Sequence, residues 1–533
     1  MSVFGEKELE KINASIRNFE TYDATRGITY LPIESALRTS NALPPKEYVL
    51  EKRVKESIKV KFNGEDITDY VKFGEMLYEM STTENGIWLL LSPQVFFCKP
   101  ANSPVNWWTV VMTRVLKEPY DIPLTSNEEH DLVQVWTKIK NLLIALLDYI
   151  YSTKYDIYDV RRIVGKKAQR LVDALDRRNK SGNQIELTKS ISVKTDETLP
   201  MKEEYPFLRP RAITQFSPTF LGETCPVSRE MADILHEVFS IGNLFHIYNY
   251  HLKKLIPCTF TFGSGYTAED LDYWMSEALM MSDAIHFIVA GDDCAILWGP
   301  WASVFGFCGE NDFSTYEFTQ GPHCFILYDA VMNFYVNDKD YIERVMQSFA
   351  KAYQGIKNVK GDVIRIKSEI RQRMASGSSD TTNFNSLGNI GSAMHIIQNA
   401  DFEKDPAYYY TQCGFKCKYK AHDDVNQMTF LKGWWQFDMK GTLRWVPLPG
   451  MVLKIGKTKR DPVLIAKNKN RNEANRICAY ALASSPGYVP HDYPIFGKWL
   501  VTMKKLGTIS NIKLYTRFER TFRNSLYVLD RKL

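Results

Sequence analysis

Apolar and polar positions follow two different periods along the chain. From His130 to Val164, "HDLVQVWTKIKNLLIALLDYIYSTKYDIYDVRRIV" sets apolar side chains at helical spacing, so this region is expected to be mostly helical. From about Gly263 helix and strand patterns alternate. "TAEDLDYWMSEALMMS" opens on Thr267 with Asp270 three residues on, a capping-box start for a helix. "AIHFIVA" and "CAILW" are short apolar runs on either side of Gly291-Asp292-Asp293, the pattern of a β-hairpin with a tight polar turn. "GFKCKYKA" alternates Phe415, Cys417 and Tyr419 with Lys416, Lys418 and Lys420, a half-exposed strand with one basic face. "GSGYT" at Gly263 lacks the lysine of a phosphate-binding loop and reads as a turn. The polar stretch Asn179 to Pro200 reads as a linker.

Composition adds class. With 533 residues and 44% hydrophobic content the chain can bury a large core divided among several subdomains. Its N-terminus lacks the apolar run of a secretory signal, and no segment reaches the roughly 20 apolar residues of a membrane span. Nine scattered cysteines fit reduced thiols, so a cytosolic protein is expected. Formal charge is +5, concentrated in Arg161 to Lys180 and Leu453 to Arg476, which suits a polyanion surface.

Two adjacent aspartate pairs compete for attention, Asp292-Asp293 and Asp423-Asp424. Asp in a hairpin turn has ordinary backbone reasons, so the pair alone carries little. Three sets of residues together carry more. Asp312 is followed by Glu317 in a D-x4-E spacing, and Ser376-Gly377, Thr381 and Asn385 form S-G-x3-T-x3-N. Cys413, Cys417 and His422 lack a clear fourth ligand for zinc.

These three sets resemble the palm motifs of viral RNA-dependent RNA polymerases: Asp312 to Glu317 looks like motif A, Ser376 to Asn385 like motif B, and Gly291-Asp292-Asp293 like motif C. The order C-A-B departs from the common A-B-C and is similar to the permuted polymerases of permutotetraviruses and birnaviruses, with the Gly-Asp-Asp closer to the former. The lysine strand then looks like motif D, and "MTFLKGWW", with Phe430, Leu431 and Lys432, like the motif E primer grip. Upstream, Arg209 and Arg211 in "YPFLRPRAITQFSP" resemble motif F. The resemblance spans about Leu208 to Trp435.

It implies an α+β right-hand polymerase: an N-terminal extension and fingers-bridging region over 1–150, fingers over 151–262, palm over 263–445 and a mainly helical thumb over 446–533. The implied activity copies an RNA template from ribonucleoside triphosphates with two Mg2+ or Mn2+ ions, in host cytoplasm or within a virion. Magnesium favours carboxylate and phosphate oxygens, so Asp292 and Asp312 are the expected bridging ligands, with Asp293 in support. Glu317, where most families have Asp, is expected to hold Asn385 and through it the ribose 2′-hydroxyl. Ser376 and Gly377 are expected in a loop on the template side, Thr381 near the sugar, Arg209 and Arg211 on the triphosphate, and Lys418 or Lys420 as the acid that protonates pyrophosphate. Protein-primed initiation is a route known among birnavirus relatives. The rival readings are an unpermuted polymerase or reverse transcriptase using Asp423-Asp424, and a non-catalytic RNA-binding protein.

Overall fold

The computed structural model describes residues 124–150, 168–181, 189–194, 211–314, 316–349, 372–438, 440–448, 471–484 and 496–516, with Val110 and short strand segments at 22–100, 356–357 and 363–364. Arg209, residues 161–167 and residues 453–470 of the basic runs lie outside them.

Helix α1 (Ser126–Ile150) buries Leu132, Trp136, Ile139, Leu143 and Leu147, the stripe its periodicity predicts. Helix α2 (Ala168–Ser181) leads to strands β1 (Lys189–Val193) and β2 (Ala212–Phe216), which pair antiparallel. The expected linker therefore carries a strand: Lys189, Ile191 and Val193 are buried, and the serines between them are half-buried. The Ser- and Lys-rich composition hid this alternation. Helix α3 (Pro218–Val238) follows, with Ser217 as its N-cap.

The central sheet has six strands: β3 (Phe245–Asn249), β4 (Lys254–Phe262), β5 (Ile285–Ala290), β6 (Asp293–Leu297), β7 (Cys308–Phe313) and β8 (Cys417–His422). Their order is β8-β7-β6-β5-β4-β3. Every pair is antiparallel except β4–β5. A parallel pair needs a crossover, and helix α4 (Ala268–Met280) supplies it, with the Thr267–Asp270 capping box at its start. The fold is thus mixed α and β around a mostly antiparallel sheet, compatible with the expected α+β class.

Both sheet faces are covered. Phe287, Val289, Cys294, Ile296 and Phe313 pack into the larger core with α1, α3, and helices α5 (Pro322–Tyr335), α6 (Lys339–Ser348) and α7 (Thr381–Asn399). Ile288, Ala295, Leu297 and Cys308 face the other way, under α4 and a three-stranded sheet. That sheet comprises β9 (Thr429–Phe430), β10 (Gly433–Phe437) and β11 (Leu443–Pro447), reached from β8 after helix α8 (Pro406–Gln412) has led into it. Trp435 is fully buried against Trp274, so it packs the two layers rather than offering a face to a base. Helices α9 (Arg471–Ser484) and α10 (Phe496–Leu506) pack on each other.

Helix α7 is buried almost all round although it is rich in Asn and Ser. An unpaired buried polar group costs about 1–3 kcal/mol, so such a helix persists only where neighbours supply partners. Asn383 donates to Ser228 O at 2.8 Å, and Ser392 Oγ to Gly388 O at 2.9 Å. Asp380, just before the helix, is fully buried; burial outweighs hydrogen bonds from Ser228 and Ser379 and pushes its carboxyl up to about 7. The unfolded chain releases that proton near pH 4, so folding takes up a proton between about pH 4 and 7 and this contribution to stability falls as pH rises. Asp380→Asn, always neutral, is expected to gain on the wild type across that window by up to ~1.4 kcal/mol per pH unit, as read from urea midpoints at pH 4.5, 6 and 7.5.

Candidate active site

The β5–β6 hairpin turns through two residues, with Ala290 paired to Asp293. Gly291 has φ +67° and Asp292 does not share the positive region, the pattern of a two-residue turn with glycine first. Asp292 is thereby exposed at the tip, and Asp293 opens β6 half-buried.

Strand β7 lies directly beside β6, with Cys294 level with Asn311 and Ala295 with Glu310. One step further along the same register, Asp293 falls level with Asp312. In the next strand Lys418 is the partner of Asp312 and Lys420 of Glu310. Residues directly opposite in a sheet share a face, so Asp293, Asp312 and Lys418 form one row and Glu310 and Lys420 belong to the next. Cover by α4 and the three-stranded sheet ends between these rows, since Glu310 is buried and Asp312 exposed.

Like charges crowd here. Asp293 has its carboxyl pushed up to about 7, first by burial and then by Asp292, with Asp312 and Glu310 adding to it and Lys432 opposing it. Among the described residues no three His, Cys, Asp or Glu side chains converge to cage an ion alone. Magnesium asks for less, one or two carboxylates completed by substrate phosphates and water. Carboxylates crowded closely enough to hinder ionisation of Asp293, at an exposed rim, fit such an ion. Comparison with known proteins finds no family model and no curated protein that matches this chain. The site therefore stands on its own geometry.

Helix α7 fixes the turn from below. Ser386 Oγ accepts from Gly291 N at 2.8 Å and donates to Thr382 O, while Asn389 Nδ2 donates to Gly291 O at 3.4 Å. Both polar groups of Gly291 are thus held by one helix. Ser386→Ala leaves that N–H without its acceptor, and a stability loss of about 1–2 kcal/mol is expected, measured by denaturant unfolding; Ser386→Thr, which keeps the oxygen, should recover most of it.

The loop before α7 is tied to β2 instead of to the acids. Thr214 N donates to Ser376 O at 2.9 Å and Ser376 Oγ to Ala212 O at 3.2 Å. Thr381, expected near a sugar, spends its hydroxyl on Ala375 O at 2.8 Å, which closes this loop. Arg211 is exposed at the foot of β2. Ser376, Gly377, Thr381 and Arg211 thus gather at the β2 end of α7, and Ser386 carries the helix on to the acidic turn.

Asn385 sits between these two groups and is buried. Gln320 Nε2 donates to its side-chain oxygen at 2.8 Å, Tyr328 OH in turn donates to Gln320, and Tyr316 OH donates to the Asn385 carbonyl at 3.0 Å. Gln320, three residues after the half-buried Glu317, thus holds the Asn385 side chain, the task expected of Glu317. The spacing of Asp312 and Glu317 gave no sign of Gln320.

Glu310, Ser386 and Asn389 were also missed. The alternation in "CGENDF" does set Glu310 on the face of Asp312, which is the signal that could have found it. Phe430, Leu431 and Lys432 form the end of β9 and its turn to β10, with Phe430 buried. Asp423 and Asp424 are both exposed in a turn after β8, where Asp424 caps a short helix by accepting from Asn426 N. Among the described residues no helix is long and apolar enough to cross a membrane.

Proposed function

We propose that the chain is a right-hand, template-directed RNA polymerase with a permuted palm, acting on ribonucleoside triphosphates. The observation that carries this reading is the register of β6 and β7. It brings Asp293 level with Asp312 although the Gly-Asp-Asp turn precedes Asp312 in sequence. Function resides in the constellation and not in chain order.

In this reading Asp292 and Asp312 would hold a pair of divalent ions, with Asp293 in support. Such ions would supply charge stabilisation for the attacking and leaving oxygens of nucleotidyl transfer. The remaining tasks fall to side chains. Asn385, oriented by Gln320, discriminates a ribose hydroxyl, because a substrate lacking it leaves buried polar groups unpaired. Arg209 and Arg211 bind the triphosphate, and the Ser376-Gly377 loop the template side.

Lys418 is the better candidate for the proton donor. Lys420 is engaged by Glu310 at 2.7 Å, and that hydrogen bond raises its pKa, whereas an acid working near neutrality needs a lower one. Lys418→Ala is expected to lower kcat by about 100-fold, and Lys420→Ala by far less. Incorporation of labelled ribonucleotide on an RNA template, with Mg2+ or Mn2+, tests the whole reading. RNA binding without any product would leave the non-catalytic reading standing.

A further inference from the structure

The β9–β10 turn is unusual. Leu431 and Lys432 have φ of +51° and +63°, and neither is a glycine. Residues with a Cβ avoid this region, and such turns persist only where surrounding contacts over-determine them. One contact is Leu448 N donating to Lys432 O at 3.0 Å. Another is the packing of Phe430 and Trp435 against the Ile288 and Ala295 face of the sheet.

The third comes from the central sheet itself. Glu310 is buried in β7, and one carboxylate oxygen accepts from both the backbone N–H and the hydroxyl of Thr429, the first residue of β9. Its other oxygen takes Lys420 Nζ at 2.7 Å, and His422 Nε2 stands 3.8 Å from the first. A single side chain thus joins β7, β8 and β9. It sits two residues from Asp312 on the same strand face, and β9 packs against β6, the strand that Asp293 opens, so that Lys432 in the following turn bears on the Asp293 carboxylate.

We propose that Glu310 is a positioning residue, holding the β9–β10 turn through Thr429 so that Lys432 is presented beside the acidic row of β6 and β7. This deepens the polymerase reading and rests on it for the role of Lys432. In that role the ammonium faces the end of the growing strand next to the reacting acids. The hydrogen-bonded backbone of Thr429 fixes the turn against β7, and the aspartates keep a constant distance from the cation. Lys420 pairs with one oxygen of Glu310 and leaves the other to Thr429.

Amide hydrogen exchange on the full chain tests the anchor without any activity. In Glu310→Ala the amides from Thr429 to Gly433 are expected to exchange at least tenfold faster, while those of β4 and β5 keep wild-type rates. Thr429→Val, which removes only the hydroxyl leg, should loosen the same segment by a smaller factor. Unchanged exchange in both variants, or an increase spread equally over β4 and β5, would overturn the anchor.

A kinetic cycle then tests the action through Lys432. Glu310→Ala and Lys432→Ala are each expected to lower kcat/KM for primed extension about tenfold, and the double variant to stay within twofold of Lys432→Ala. Effects that multiply would overturn it. A wild-type protein that extends nothing removes the polymerase reading, and the exchange result still judges the anchor.

Discussion

Asp312→Asn is expected to reduce ribonucleotide incorporation at least a thousandfold while leaving the folded protein as stable as the wild type or slightly more so. A thousandfold loss corresponds to about 4 kcal/mol of transition-state stabilisation, the size expected for one of two carboxylates proposed to hold the charge-bearing ions. The stability half of the expectation has a separate cause. Asp312 is exposed and makes Asp293 harder to ionise, so the neutral amide relieves repulsion at little packing cost. Activity and stability should therefore move apart, the mark of a residue kept for chemistry. Steady-state incorporation and a thermal midpoint on the same preparation provide the check; a parallel collapse of both would make Asp312 a structural residue.

Gly377→Ala is expected to cost about 3 kcal/mol of stability, a sum of backbone strain and forced displacement of a neighbour. Gly377 has φ +105°, which L residues rarely adopt, and a Cβ there would run into the Thr214 carbonyl oxygen of β2. That carbonyl belongs to a paired strand and cannot swing aside as a side-chain tip would. The loop that Thr214 N holds through Ser376 O must then detach from β2. Incorporation should fall with it by about two orders of magnitude, because α7 begins four residues later and carries Ser386 to the acidic turn. Denaturant unfolding and incorporation measured on Gly377→Ala and on Gly377→Asn separate the causes. Asn tolerates positive φ better but meets the same carbonyl, so the two variants should be similarly impaired if the collision dominates.

Local patterns were legible where one residue set its own conformation. The Thr267 cap with Asp270, the glycine-first turn at Gly291 and the alternating lysines of β8 all follow from short-range chemistry, and they form the elements expected. The strand at Lys189 did not stand out, because its polar residues outnumber its two apolar ones in a sequence that otherwise looks like a linker. The adjacency of β6 and β7 was expected only through a resemblance. No periodicity in either strand states which neighbour it takes.

Partners within the site were the least legible. Gln320 and Ser386 reach residues 65 and 95 positions away. Such contacts are products of packing α7 against the segment before α5 and against the β5–β6 turn, and nothing in the spacing of Glu317 or Asn385 announces them. Glu310 lay in plain view beside Asp312. It took the register with Lys420 and the contact to Thr429 to separate its task from that of a metal ligand.

The most direct test compares Asp292→Asn and Asp423→Asn in one templated incorporation assay with Mg2+ and with Mn2+. The β5–β6 turn as catalytic centre requires activity to vanish in Asp292→Asn and to stay within about twofold of wild type in Asp423→Asn, whose carboxylate lies in an exposed turn. Activity retained in Asp292→Asn and lost in Asp423→Asn would contradict the permuted site.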